Sequence, residues 1–178
     1  MVQGSRSVYL ALHATACLLI AAGCAGPFSK TLVKEVNRDI SFSELRSNPQ
    51  AYVGQTVMLG GEIILVQVQQ SGTLLEVLEK KLGHRNRPEE TDVTGGRFFV
   101  FDSGFLDPAV YRNGREVTVI GKVTGQKSAR IGDLEYAYPL VTATAIHLWE
   151  KREQRYYYRA PPYPYWPYWG YYGPPWWW

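Results

Sequence analysis

Thr56-Val57-Met58-Leu59-Gly60-Gly61-Glu62-Ile63-Ile64-Leu65-Val66-Gln67-Val68 is the stretch on which the fold turns. Val, Ile and Leu dominate it, as on a pleated, half-buried surface. Gly60-Gly61 interrupts the run, and glycine inside a strand marks a bulge or a sharp bend. A second stretch echoes the first. Tyr52-Val53-Gly54-Gln55-Thr56-Val57 leads into Gly60-Gly61-Glu62-Ile63, and Tyr111-Arg112-Asn113-Gly114-Arg115-Glu116-Val117 leads into Gly121-Lys122-Val123. Each runs aromatic, turn glycine, strand, mid-strand glycine, strand. The pattern predicts strands that coil, and coiled short strands close into small barrels.

Outward from this pair, residues 73–78 read as a further strand, although Leu74, Leu75, Leu78 and Leu82 also fit one face of a helix. Residues 83–94 are polar, contain Pro88 and read as a loop. Residues 97–101 form an apolar strand ended by Asp102-Ser103-Gly104. Asn113-Gly114 is a turn signal before a strand over 116–124. Residues 134–149 read as a long last strand, bent or edge-placed at Pro139. Before the strands, residues 41–48 predict a short helix. Ser41 and Glu44 have capping-box spacing, Phe42 and Leu45 share a face, and Asn48-Pro49 stops it. The fold expected is mainly β: a small OB-like antiparallel β-barrel with one short N-terminal helix, preferred over an open β-sandwich. It spans residues 41–150.

The N-terminus is of another kind. Residues 1–7 are polar with Arg6, and residues 8–20 form a mostly apolar run. That run suits a secretory signal and is shorter than the roughly 20 residues that span a bilayer. Ala21-Ala22-Gly23 then leads to Cys24, which resembles the lipobox of bacterial lipoproteins. The reading is a signal peptide over 1–23, lipid on Cys24, and a tether of little periodicity up to residue 40. The other cysteine, Cys17, lies inside the signal. The exported chain then has no disulfide and no free thiol. Ala25 after the cysteine, where Asp would retain the protein in the inner membrane, points to the outer membrane.

Charge is scattered, with a formal net value of +3 and no long basic run, so no nucleic-acid footprint is present. The aromatic excess is local. Residues 156–178 hold eight of the thirteen Tyr, five of the six Trp and six prolines. This Tyr/Trp/Pro-rich tail, 151–178 with its charged lead-in, reads as extended and disordered, outside the barrel. Trp166 and Trp169 within it are candidate binding residues. Such exposed aromatic density suits a membrane interface, a glycan surface or a protein partner, against the plainer reading of a low-complexity end with no selected role.

From residue 42 to 149 the chain resembles the Slp family of outer-membrane lipoproteins. The matching pieces include Gly60-Gly61-Glu62-Ile63, Glu76-Val77, Arg87-Pro88 and Gly96-Arg97-Phe98. They continue through Gly104-Phe105-Leu106-Asp107-Pro108 with Tyr111, Gly114-Arg115-Glu116-Val117-Thr118-Val119 and Gly121. Ile131-Gly132, Tyr136-Ala137-Tyr138-Pro139 and Leu148-Trp149 complete the ordered set. The resemblance implies a periplasm-facing, lipid-anchored protein of envelope or stress physiology. It supplies no catalytic residues.

The residues themselves offer little chemistry. Outside the signal, His84 sits in a polar loop and His147 on the last strand, and no spacing suggests zinc. No G-x-S-x-G appears, which weakens an envelope hydrolase. Asp102 and Asp107 fit turn chemistry better than a Ca²⁺ loop. Arg97 is placed to pair with Asp102 or Glu76. Tyr136 and Tyr138 share a face with Leu134, either as core or as the lining of an open groove, where OB barrels stack ligands on aromatics. The reading is a non-enzymatic structural or binding lipoprotein without cofactor or metal. Its partners are outer-membrane lipid through Cys24 and, beyond that, peptidoglycan, polysaccharide or an envelope protein. The rival is a glycan binder using Tyr136 and Tyr138 or the tail.

Overall fold

The two echoed stretches lie side by side. In the computed structural model, which describes residues 26–152, β1 (Thr56–Gln69) pairs antiparallel with β4 (Glu116–Ile131). Val57 lies opposite Gly121, and Gly61 lies opposite Val117, so each repeat sets its mid-strand glycine against the other's first valine. A methyl on Gly61 would run into the carbonyl oxygen of Leu78, and one on Gly121 into that of Thr142. Each glycine marks the point where its strand passes close to its other neighbour. That close approach is what lets the strands curl shut.

β2 (Gly72–Glu79), β3 (Arg97–Asp102) and β5 (Leu134–Leu148) complete a closed barrel in the order β1-β2-β3-β5-β4. This is an OB-type barrel. One pairing departs from the antiparallel expectation: β3 and β5 run parallel where Phe99, Val100 and Phe101 meet Leu140, Val141 and Thr142. Pro139 sits just before that seam and pairs with Gln126 on β4. β1 carries a bulge at Ile64, and Asn113 Nδ2 donates to the freed Ile64 carbonyl at 2.9 Å.

Alternation fills the interior. Val57, Leu59, Val77, Phe98, Val119 and Val141 all point inward and are buried. Each such side chain stabilises by roughly 1.5–3 kcal/mol relative to exposure. The expected capping box forms: Ser41 Oγ accepts from the Glu44 N–H, and the Glu44 carboxylate accepts from the Ser41 N–H. The short helix it starts packs Leu45 into the core and Phe42 edge-on against Phe98 at 5.8 Å.

Two elements differ from the sequence reading, the N-terminal tether and the length of β4, while the strand read at 73–78 is borne out. The segment read as a tether contains a helix of its own, α1 (Lys30–Glu35), capped by Ser29, so the helix at Phe42–Ser47 is α2. Asn37 N–H then donates to the Thr56 carbonyl and ties this segment to β1. Residues 73–78 are strand and not helix, as part of β2, because their alternate side chains are buried between β1 and β3. β4 runs past residue 124 to Ile131 and forms with β5 a long hairpin turning at Gly132-Asp133. Residues 126–128 are exposed, so no apolar alternation announced them. The signal, Cys24, Trp166, Trp169 and the tail from residue 153 lie outside the described residues.

Candidate functional site

The β4–β5 hairpin outruns the barrel and folds back over the outer face of β2 and β3. There Leu74, Glu76 and Phe99 point outward between inward-facing neighbours. Tyr138 stacks on Phe99 with centroids 4.3 Å apart, and Tyr136 meets Tyr138 edge-on at 4.7 Å. The Tyr138 hydroxyl donates to Glu76 Oε1 at 3.0 Å, and Arg97 Nη1 reaches the same oxygen at 2.7 Å. Lys127 Nζ lies over the Phe99 ring, 5.5 Å from its centroid. Burial, then the Glu76 carboxylate, push the Tyr138 phenol above its ordinary pKa, so it stays a neutral donor.

Of the two readings open for the tyrosines, Tyr138 is core. It is 1 % exposed, and with its ring covered it has no free face for a ligand. Tyr136 remains half-buried at the margin, its hydroxyl accepting from the Arg97 N–H at 3.4 Å. OB barrels bind oligomers on the β2–β3 face between the loops that flank it. In this chain its own hairpin occupies that face. Arg97 pairs with Glu76 and not with Asp102. Asp102 instead accepts from the Gly104 N–H and Asp107 from the Ala109 N–H, which is turn chemistry. Among the described residues no group of three His, Cys, Asp or Glu is arranged to hold a metal.

A second place was not legible as a site. Where β5 ends, a cleft of about 610 Å³ opens beside Trp149. Trp149 Nε1 donates to Thr118 Oγ1 at 2.9 Å, and the Thr118 hydroxyl in turn donates to the Asn86 carbonyl at 2.7 Å. The Arg87 guanidinium lies 5.4 Å over the indole, and His147 meets it edge-on at 4.4 Å. Burial pushes the His147 imidazole below its ordinary pKa. Ion pairs ring the cleft: Lys80–Glu62 at 3.2 Å, Arg87–Glu116 at 2.8 Å, Arg152–Glu116 at 3.0 Å and Arg152–Glu90 at 3.3 Å. Its lining holds four cations (Lys80, Arg115, Lys151, Arg152) against four carboxylates (Glu62, Glu90, Glu116, Glu150). Such a balance gives no net pull on a charged ligand. It works as a clasp on the chain leaving the barrel. The signal for it was present but dispersed: Arg87, Arg115-Glu116 and Trp149 belong to three separate motif pieces that the fold brings together.

The described residues form a closed OB-type barrel, and its relatives identify the class of protein that carries it, an outer-membrane lipoprotein. The family model described as "Outer membrane lipoprotein Slp family" matches residues 21–177, and the chain belongs to that family. Outer membrane protein Slp of Escherichia coli (strain K12) is 31% identical over 153 residues, 86% of this chain and 78% of that protein. The uncharacterized lipoprotein YeaY of the same strain is 37% identical over 108 residues, 61% of this chain; that match spans 55% of YeaY's length. An uncharacterized protein of Haemophilus influenzae is 30% identical over 141 residues, 79% of this chain and 76% of that one. Among solved structures, the small single-stranded DNA-binding protein from Streptomyces coelicolor aligns with a TM-score of 0.32 and 13% identity. That alignment covers 53% of this chain and 94% of that one, and a likeness of this size carries no argument about function.

Proposed function

We propose that this outer-membrane lipoprotein is a non-enzymatic structural module, held by lipid on Cys24 with its barrel in the periplasm. The observation that carries the reading is the self-covered β2–β3 face: the surface that an OB barrel would offer to an oligomer is closed by Tyr138 on Phe99. What the barrel holds instead is its own two ends. The small residues before Cys24 support acylation there, and several acyl chains anchor stably where one would be marginal.

Membrane fractionation tests this reading. Cys24→Ala should leave the chain unprocessed or release it from the outer-membrane fraction. Normal processing with full retention would refute the anchor. Added protease should reach the wild-type barrel only once the outer membrane is permeabilised; digestion in intact cells would refute the periplasmic orientation.

A second reading, glycan binding, is supported by the half-buried ring of Tyr136 beside exposed Leu134 at the hairpin margin. Purified sacculi that retain the wild-type chain but not Tyr136→Ala would favour it.

A further inference from the structure

Both ends of the described chain leave from one patch. Phe28, four residues after Cys24, packs edge-on against His147 at 6.2 Å, and His147 packs edge-on against Trp149 at 4.4 Å. Beyond Trp149 the chain is pinned. Trp149 N–H donates to the Glu116 carbonyl, Arg115 donates to the Trp149 carbonyl at 2.9 Å, and Arg87 donates to the Glu150 carbonyl at 2.7 Å. Arg152 then ties residue 152 to Glu116, Glu90 and the Pro88 carbonyl. The root of the tail is therefore fixed on the wall that carries the N-terminal segment.

We infer that the Tyr/Trp/Pro tail is a second membrane attachment, bound in the headgroup layer of the same bilayer that holds Cys24. For its placement the inference rests on lipid at Cys24, as proposed above. Four residues of fully extended chain span about 14 Å at most. An acylated Cys24 thus holds the patch of Phe28, His147 and Trp149 close to the headgroups, and the tail begins there. Had the tail left instead from the hairpin turn at Gly132-Asp133, it would start about 50 Å away along β5.

The chemistry of the tail fits that position. Residues 156–178 hold eight Tyr and five Trp, and their one charged side chain is Arg159. Tyr and Trp place an apolar ring and a polar edge where hydrocarbon meets water, and a lone cation is drawn to anionic lipid. With the lipid in place, tail binding becomes intramolecular, so weak individual contacts suffice.

The test uses the chain from residue 24 to 178 with Cys24→Ser and vesicles of phosphatidylethanolamine and phosphatidylglycerol. It is run beside a variant in which Trp166, Trp169, Trp176, Trp177 and Trp178 are all serine. The vesicle-bound fraction should fall about tenfold in the variant, with barrel melting unchanged. Equal partitioning of the two chains, or retention by sacculi without binding to vesicles, overturns the inference. This arm needs no lipid on Cys24, so it separates the tail's chemistry from the anchor assignment. For placement, acylated wild-type chain in vesicles should have its tail Trp fluorescence quenched by lipids brominated near the headgroup. Absence of quenching there overturns the shared-bilayer geometry.

Discussion

The Tyr138 hydroxyl and Arg97 Nη1 converge on one oxygen, Glu76 Oε1, at 3.0 Å and 2.7 Å. The pairing joins the folded-back hairpin to β2 and β3, and it sets an order of costs. Tyr138→Phe removes one neutral donor while Glu76 keeps Arg97, so it should cost about 1 kcal/mol. Glu76→Ala strands a buried hydroxyl and should cost about 1–3 kcal/mol. Tyr138→Ala removes the ring that seals Phe99 and should cost about 3–5 kcal/mol. Urea denaturation reads all three; if Tyr138→Phe costs as much as Tyr138→Ala, the hydroxyl and not the ring is the seal.

The echoed glycines divide into two kinds. Gly61 and Gly121 have no room for a side chain, because backbone carbonyls of neighbouring strands face them. Valine at either should destabilise by about 3 kcal/mol or more, since backbone cannot rotate away as a side chain can. Gly54 has open space around it, but its φ of +87° disfavours any L side chain. Gly54→Ala should therefore cost only about 1–2 kcal/mol. Thermal melts that rank Gly54→Ala as the worst of the three would contradict the close approach.

Glu79 sits at the end of β2 and accepts from the Gly95 N–H at 2.7 Å. Burial raises its pKa, with that hydrogen bond opposing. A raised folded-state value means that the folded chain holds its proton more tightly than the unfolded chain does. The contribution is complete below the ordinary carboxylate range and is lost as pH rises through the folded value. Glu79→Gln keeps an acceptor for Gly95 and removes the desolvated charge. Its melting temperature at neutral pH should match or exceed that of wild type, and the stability loss on raising pH through this window should shrink. An unchanged pH profile would assign that loss elsewhere.

How far the sequence could be read depended on side-chain periodicity. β1 and the first half of β4 were legible because they carry apolar alternation and repeated glycines, each glycine marking where its strand passes close to its other neighbour. The outer half of β4 was not, because residues 126–128 are exposed and carry no alternation. Missing it meant missing that Tyr138 is folded under: a tyrosine on a strand facing outward looks like groove lining until a hairpin is seen to cover it. α1 was missed because none of its residues is buried, so no apolar face marks it. The clasp at Trp149 joins residues from loop, β4 and chain end, and spacing along the chain holds no information about such convergence.

Within that clasp, drawn contacts and energetic weight should part company. Arg152 donates to Glu116, Glu90 and Pro88, while Trp149 makes one side-chain hydrogen bond, to Thr118. Yet the Arg152 side chain is 33% exposed and its partner Glu90 is 78% exposed, so solvent screens the pair. Removing Arg152 also leaves Glu116 neutralised by Arg87 at 2.8 Å, so no buried charge is orphaned. Arg152→Ala should cost less than about 1 kcal/mol. Trp149→Ala removes the ring that His147 and Arg87 pack against and a polar partner of buried Thr118. It should cost about 2–3 kcal/mol, because a large half-buried ring outweighs screened ion pairs. Urea denaturation of both variants at low ionic strength decides between the two, because an uncharged denaturant adds no salt screening to the Arg152 pairs. An Arg152→Ala loss equal to that of Trp149→Ala would mean that charge and not packing holds the exit of the chain.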